Sequence, residues 1–251
     1  MPFAIDPAAV LLVTAAFLFA GVIKGVTGFG LPTVTLGILA LTRPLPEAMA
    51  LMLAPALVTN VWQALVGPAL WTVLRRLRGF LVAAAAGALA GASVLARSDA
   101  LMLSGLLGLL LMASAALSLS GWPMPPPGAA RERWVSPLMG GLSGLLTGMT
   151  GSFLMPAAPY FAALRLPPQE FIQGFGLGVV AATLAMAVGM AGGGLLPPEL
   201  GLASIAGVVP ALLGMAAGQR LRKRMSEALF RKVVQAALGV LGAYLAFRAF
   251  G

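Results

Sequence analysis

The chain has no cysteine and no histidine among its 251 residues. Their absence excludes disulfides, thiolate nucleophiles, histidine bases and the usual haem, zinc or copper ligand sets. The only aspartates, Asp6 and Asp99, stand near the ends of apolar segments, where they are poorly placed to form the carboxylate pair of an aspartyl mechanism. We therefore expect no enzyme activity, no cofactor and no metal site.

Charged residues are also scarce, at 9% of the chain, whereas 60% of the residues are apolar and the mean hydropathy is +0.98. Soluble domains carry about 25% charged residues, so these values predict an integral membrane protein whose first partner is the lipid bilayer. At about 20 residues per crossing, the apolar segments allow roughly eight crossings. The net charge of +9 is then expected to report membrane orientation, and nucleic acid is not expected as a partner.

The second half of the chain repeats the first. A shift of 123 residues superposes glycines, prolines and glutamates, and the matched pairs are Gly21 with Gly144, Gly25 with Gly148, Gly28 with Gly151, Pro44 with Pro167, Glu47 with Glu170 and Gly91 with Gly214. After a drift of five residues, 98–101 matches 226–229. Such self-similarity predicts a duplication, as in many transporters. We predict a first membrane repeat over 1–121, a Pro-rich inter-repeat loop over 122–134 and a second repeat over 135–251.

Each predicted repeat has the same order of parts. An apolar stretch broken by glycines covers 8–42 in the first half and 135–164 in the second. Three uninterrupted apolar spans follow in each half, at about 46–66, 78–97 and 100–121, and at about 169–191, 199–219 and 228–248. The predicted fold is an all-α integral membrane protein with two homologous halves, each a Gly-broken hairpin-like segment plus three transmembrane helices.

The basic residues favour one of two orientations for these halves. If each broken stretch crosses once, the basic residues divide nearly evenly between the two sides. If it enters and returns, as a re-entrant hairpin or two short crossings, twelve of the 16 basic residues share one side, only Arg43, Arg97 and Arg248 lie opposite, and Lys24 is inside a span. The strong bias is what the positive-inside rule expects, so we predict inverted repeats with both termini outside.

The two Gly-rich motifs are the candidate substrate-binding segments. Glycines at this density weaken a helix and permit unusual backbone angles. Unwound backbone within a membrane must be buried in protein or line a cavity, and a helix that begins there presents amide N–H groups that suit an anion. The predicted binding residues in the motifs are Thr27, Gly28, Phe29, Gly30, Thr150, Gly151, Ser152 and Phe153. The same glycines also fit the alternative of close helix packing.

Four further polar residues are candidates. Lys24 is the one basic residue well inside an apolar stretch, and it either meets the charge of a substrate or extends its ammonium to the interface. Asn60 either lines a pathway or links helices. Glu47 and Glu170 follow prolines at the start of a span, so they either stabilise the helix N-terminus or carry a coupled proton.

The paired motifs GVIKGVTGFGLP and GLLTGMTGSFLMP resemble those of the TauE/SafE sulfite exporter family, also called the toluene sulfonate uptake permease family. The resemblance covers essentially the whole chain, although Phe29 and Ser152-Phe153 stand where the family carries further glycines. It implies a transporter for a sulfur-containing anion such as sulfite or sulfoacetate. Composition and spacing alone predict only that the substrate is an anion.

Because the chain has no nucleotide-binding motif, we expect a secondary transporter, with H+ as a possible coupling ion. The expected location is a bacterial inner membrane. The alternatives are a passive anion channel and a membrane accessory subunit without transport of its own. The direction of transport and the oligomeric state are not predicted by the sequence.

Overall fold

The structure is a computed structural model that describes residues 7–121, 124–224 and 226–251. Within these residues the chain forms ten helices and no strand. The helices are α1 (Pro7–Thr27), α2 (Leu31–Leu39), α3 (Leu45–Leu65), α4 (Leu70–Leu95), α5 (Ala100–Ser120), α6 (Ala129–Thr150), α7 (Ala157–Ala163), α8 (Pro168–Gly192), α9 (Pro198–Arg222) and α10 (Glu227–Phe250). The prediction of an all-α membrane protein is confirmed.

Both predicted broken stretches are interrupted at their glycines. The first consists of α1 and the short α2, separated by Gly28 and Gly30, whose φ angles of 84° and 97° lie in the left-handed region that favours glycine. The second consists of α6 and the short α7, and Gly151 ends α6 with a φ of 75°. Each break is followed by a short helix and three long ones.

Seven of the described helices are long and apolar enough to cross a bilayer, against the roughly eight that the composition predicts. Three described helices fall outside this set: α2 and α7 are short, and the long α6 has Arg131, Glu132 and Arg133 near its start. The predicted inter-repeat loop over 122–134 is wrong in its second part, because α6 already begins at Ala129. Residues 122 and 123 lie outside the described residues.

The predicted span at about 78–97 is too short at its start. Helix α4 begins at Leu70 rather than near residue 78. Leucine and arginine are good helix formers, so the helix continues through Arg75, Arg76 and Arg78 beyond its apolar part. The basic residues of this region therefore project from a helix rather than from a loop.

Close glycine contacts join the two halves. Gly87 and Gly91 of α4 lie against the backbone of α6, and Gly214 and Gly218 of α9 lie against the backbone of α1 in the same pattern. The pairing of Gly91 with Gly214 is therefore wrong by one helical turn, since Gly91 corresponds to Gly218. The extra turn lies in α8, which has 25 residues where α3 has 21.

The order of these contacts gives the helix directions. Gly140 and Gly148 of α6 meet Phe80 and Ala88 of α4 in the same order, so these two helices run parallel. Helices α1 and α9 also run parallel, because Gly21 meets Ala211 and Gly25 meets Met215 in α9. The first helix of each half thus packs along the fourth helix of the other half.

Two further pairs run antiparallel. Gln173, near the start of α8, donates to the carbonyl of Ala64 at the end of α3. Gly105 near the start of α5 meets Ala249 at the end of α10. With these directions α1 and α2 enter and return at the end where α3 begins, and α6 and α7 do so at the opposite end.

One end of the bundle therefore collects most of the positive charge, and we call it the basic end. It holds the starts of α4, α6, α8 and α10 and the ends of α3, α5, α7 and α9. The basic residues there are Arg75, Arg76, Arg78, Arg131, Arg133, Arg165, Arg220, Arg222, Lys223, Arg224, Arg231 and Lys232. At the opposite end, Arg248 donates to the carbonyl of Leu41 at 3.0 Å. This distribution favours the inverted orientation, which stays a prediction about the membrane.

Candidate functional site

The two breaks share one local structure, built on their threonines. The Thr27 hydroxyl lies 2.9 Å from the carbonyl of Ile23 and accepts from the amide of Phe29 at 3.4 Å. The Thr150 hydroxyl donates to the carbonyl of Leu146 at 2.7 Å and accepts from the amide of Ser152 at 3.3 Å. Both hydroxyls thus satisfy backbone groups where a helix stops, which is a structural role.

The two breaks meet inside the protein. The Thr33 hydroxyl, in the first turn of α2, lies 3.1 Å from the Ser152 hydroxyl, and both side chains are buried. Aromatic rings reinforce the contact, since Phe29 and Phe153 lie 5.7 Å and 5.6 Å from Phe175 of α8. The motifs that the repeat pairs in sequence are therefore neighbours in space.

A cavity of about 540 Å³ leads to this junction from the basic end, and we call it the vestibule. Three arginines lie in its wall, namely Arg165, Arg222 and Arg231, and none of its lining residues is acidic. Its size is in the range of small-ligand sites. A cavity with only positive charges concentrates anions by electrostatic focusing.

The inner end of the vestibule is formed by the start of α2. A small recess there is lined by Thr27, Gly30 and Thr33, and it shares Arg231 and Gln235 with the vestibule. No side chain caps α2, and Pro32 has no N–H, so the amides of Leu31 and Thr33 are the donors at this terminus. Such a terminus is suited to an anion.

Gln235 of α10 gives independent evidence for a ligand at this recess. Its side chain is only 6% exposed, and its Oε1 has no hydrogen-bond partner in the described structure. A buried amide without a partner costs about 1–3 kcal/mol. Because rotation of the amide can present its NH2 group instead, Gln235 can donate to an anion held at α2.

Lys24 lies on a different face of α1. Its ammonium, in a side chain that is 3% exposed, donates to Oδ1 of Asn60 at 2.5 Å. Asn60 in turn donates to the carbonyl of Ala56, which fixes the orientation of its amide. No carboxylate of the described residues is within ion-pair distance of Lys24. The buried positive charge is thus held by a neutral amide, one turn before Thr27.

The predicted site residues therefore divide into two groups. Thr27, Phe29 and Gly30 line the vestibule or its recess. The others lie outside that wall, and they are Lys24, Gly28, Asn60, Thr150, Gly151, Ser152 and Phe153. Glu47 and Glu170 stand in the first turns of α3 and α8, and Glu47 also pairs with Arg43 at 3.4 Å.

Sequence reasoning missed Thr33, Gln235 and the three vestibule arginines. Gln235 carried a recognisable signal, because it is a neutral polar residue inside the otherwise apolar span 228–248. For the arginines, the sequence predicted only the side of the membrane and gave no signal of a binding role. Their convergence depends on the packing of α7, α9 and α10, which are far apart in sequence.

Two glycines with the same strained backbone should respond differently to alanine. An added Cβ at Gly30 meets nothing within 4 Å, so Gly30→Ala should cost only the left-handed backbone term, about 1 kcal/mol. At Gly151 the Cβ would lie 2.6 Å from Leu36 Cδ1, which adds about 1–3 kcal/mol of overpacking. Chemical unfolding in detergent measures the free energy of unfolding of both variants. An equal decrease in the two would contradict the predicted difference in space around the two glycines.

The family model "Sulfite exporter TauE/SafE" matches residues 13–245 of the chain. No curated protein and no solved structure matches the chain. The matched region runs from within α1 to within α10, and so includes both breaks, the vestibule arginines and Gln235. The chain is a multi-pass membrane protein that belongs to the TauE/SafE sulfite exporter family of transporters.

Proposed function

We propose that this protein is a secondary transporter for a small sulfur-containing oxyanion or organosulfonate, such as sulfite or sulfoacetate. The observation that carries the proposal is the all-positive vestibule, which ends at an uncapped helix N-terminus beside the unpartnered amide of Gln235. The family supports a permease, and the name of the family supports sulfite as the type of substrate.

The anion is held by the amides at the start of α2, by the amide of Gln235 and by the charge of Arg231. These groups form a concave set of donors with no acceptor of fixed negative charge, which suits an oxyanion whose oxygens only accept. The ring of Phe29 lines the vestibule next to them, so the carbon part of a sulfonate has an apolar surface to contact.

Alternating access follows from the arrangement of the halves. The two broken segments enter from opposite ends and meet at Thr33 and Ser152, so a rocking of one half against the other can close one approach and open the other. The present conformation has its vestibule at the basic end. In this proposal the basic end faces the cytoplasm of a bacterial cell, by the positive-inside rule.

The driving force is an ion gradient or the gradient of the substrate itself. Glu47 and Glu170 are the carboxylates proposed for proton coupling. Their matching positions near opposite ends of the bundle support this proposal. The position that matches Arg43, the partner of Glu47, is Leu166 in the second half, so Glu170 has no equivalent i−4 ion pair.

The test compares Arg231→Gln with Lys232→Gln, two neighbours on α10 that lose the same charge. Arg231 lines the vestibule and Lys232 does not. We expect kcat/KM for uptake of radiolabelled sulfite into proteoliposomes to fall about tenfold for Arg231→Gln, about 1.4 kcal/mol of lost attraction. Lys232→Gln should stay within about twofold.

Equal rates for both variants, or equal uptake by empty vesicles, would contradict the site. Acceleration of uptake by substrate on the opposite side distinguishes a carrier from a passive channel. Unitary conductance in planar bilayers without such acceleration would show that the protein is a passive channel rather than a carrier.

A further inference from the structure

A second basic cavity lies between α4 and α6, separate from the vestibule. Its volume is about 380 Å³, within the range of small-ligand sites. It is lined by Arg75, Arg76, Arg78, Gly79, Glu132, Arg133, Ser136 and Pro137. None of these residues belongs to the proposed transport site, and we call this cavity the α4–α6 pocket.

The positive charge of the pocket is only partly neutralised inside the protein. Arg76 forms a bidentate ion pair with Glu132, with distances of 2.8 Å and 2.9 Å. This pair uses the only carboxylate among the lining residues. Arg75, Arg78 and Arg133 have no carboxylate within ion-pair distance among the described residues. The pocket therefore carries an excess of guanidinium groups, which recognise phosphate well.

Ser136 supplies a hydroxyl donor to the pocket. Its side chain is 5% exposed and lies in the pocket wall, and its hydroxyl neighbours that of Tyr160, although neither has a hydrogen-bond partner that meets standard geometry in the described structure. Buried hydroxyls normally have a partner. Because a hydroxyl both accepts and donates, Ser136 can accept from Tyr160 and donate to a phosphate oxygen held by the arginines.

Tryptophans place the pocket at the level of lipid headgroups. Trp71 and Trp134 flank it on α4 and α6, and each is 72% exposed. Exposed tryptophans of membrane proteins gather at the interface between headgroups and hydrocarbon. Arg133 also lies 5.7 Å from the ring centroid of Trp134. The arginines of the pocket are therefore within reach of phosphates in the adjoining leaflet.

The matching place at the opposite end of the bundle has one arginine, Arg43, and one carboxylate, Glu199, in place of the arginine cluster. Helices α1 and α9 enclose a cavity there of about 630 Å³, lined largely by apolar residues. On the register of the glycine contacts, Val10 stands in place of Arg133, Val13 of Ser136 and Ala203 of Arg76. The same groove thus has an excess of positive charge at one end of the protein and none at the other, so packing of the helices does not by itself require the arginine cluster.

We propose that the α4–α6 pocket binds a phosphate group, as the headgroup of an anionic lipid in the leaflet at the basic end or as free phosphate. Arg75, Arg78 and Arg133 hold its charge, and Ser136 donates to one oxygen. Basic pockets between membrane helices on this side of a membrane suit such headgroups. The proposal does not depend on the transport site.

The experiment compares two triple variants that lose the same charge at the same end. Arg75→Gln/Arg78→Gln/Arg133→Gln empties the pocket of unpaired guanidiniums, and Arg220→Gln/Lys223→Gln/Arg224→Gln is the matched control. The full chain is reconstituted in an equimolar mixture of phosphatidylglycerol and phosphatidylcholine, and lipid retained after extraction is counted by native mass spectrometry. A second arm titrates inorganic phosphate against protein in phosphatidylcholine alone, with thermal unfolding as the readout.

We expect the pocket triple to lower retained phosphatidylglycerol about tenfold and the control to change it less than about twofold. The second arm identifies free phosphate as the ligand if inorganic phosphate stabilises the wild type but not the pocket triple and the pocket triple retains as much phosphatidylglycerol as the wild type. Ser136→Val copies the residue at Val13, so it keeps the fold and should weaken retention about threefold. Equal losses in both triples together with no effect of Ser136→Val would overturn the proposal and leave only general surface charge.

Discussion

Gly144→Ala is expected to lower the free energy of unfolding by about 2–3 kcal/mol, more than other single methyl additions in this protein. A Cβ at Gly144 would collide with the backbone carbonyl of Ala84 in α4. Backbone atoms cannot rotate away as a side chain can, so α4 and α6 must separate along their length. Contacts between these helices hold the second broken segment against the first half.

Gly141→Ala is the matched control on the same helix. Its Cβ would find its nearest neighbour at 3.9 Å, an ordinary contact distance, so the added methyl has room. Alanine has a higher helix propensity than glycine, and we expect this variant to gain up to about 1 kcal/mol. Denaturant titration of both variants in the same detergent gives the comparison. A Gly144→Ala protein as stable as Gly141→Ala would show that the crossing is not close-packed.

The glycines also explain why the repeat could be read from the sequence. Gly21 and Gly144 each face a backbone of the other half, so no other residue fits at either position. A constraint of this kind leaves a visible pattern of identical residues. The four-residue extension of α8 left none, because a turn added inside an apolar helix looks like the apolar residues around it. The register error at Gly91 has this cause.

The candidate site was only partly predictable, for a related reason. Thr27 and Gly30 belong to a motif in which short-range sequence determines a helix break, and the structure has both at the recess. Arg165, Arg222 and Gln235 meet only when α7, α9 and α10 pack together. Long-range convergence of this sort has no local sequence signal. Phe153, by contrast, was predicted to line the site and is packed among aromatic rings instead.

The double variant Lys24→Met/Asn60→Leu is expected to raise stability while lowering transport. Lys24 is buried without a carboxylate, so the protein bears the cost of removing an ammonium from water with one amide bond in return. Replacing a buried polar pair with apolar residues of similar size gains about 1–2 kcal/mol. Both residues are changed because Lys24→Met alone would leave Oδ1 of Asn60 unpaired.

The loss of transport follows from the position of the charge. Lys24 is one turn before Thr27 on α1, and although its ammonium points to Asn60 rather than into the recess, its charge lies close behind the proposed anion site. At an effective dielectric constant of about 20 and a separation of about 8 Å, one unit charge attracts an anion by about 2 kcal/mol. Its removal should lower kcat/KM for sulfite uptake about thirtyfold.

Asn60→Asp tests whether the charge of Lys24 is the cause, since it keeps the lysine and supplies it with a carboxylate. Neutralised in this way, Lys24 no longer attracts an anion, and we expect transport to fall about tenfold with no loss of stability. Uptake assays on the same proteoliposome preparations, with unfolding measured in parallel, separate the two effects. Transport at the wild-type rate in both variants would make Lys24 a structural residue and confine the anion site to α2, Arg231 and Gln235.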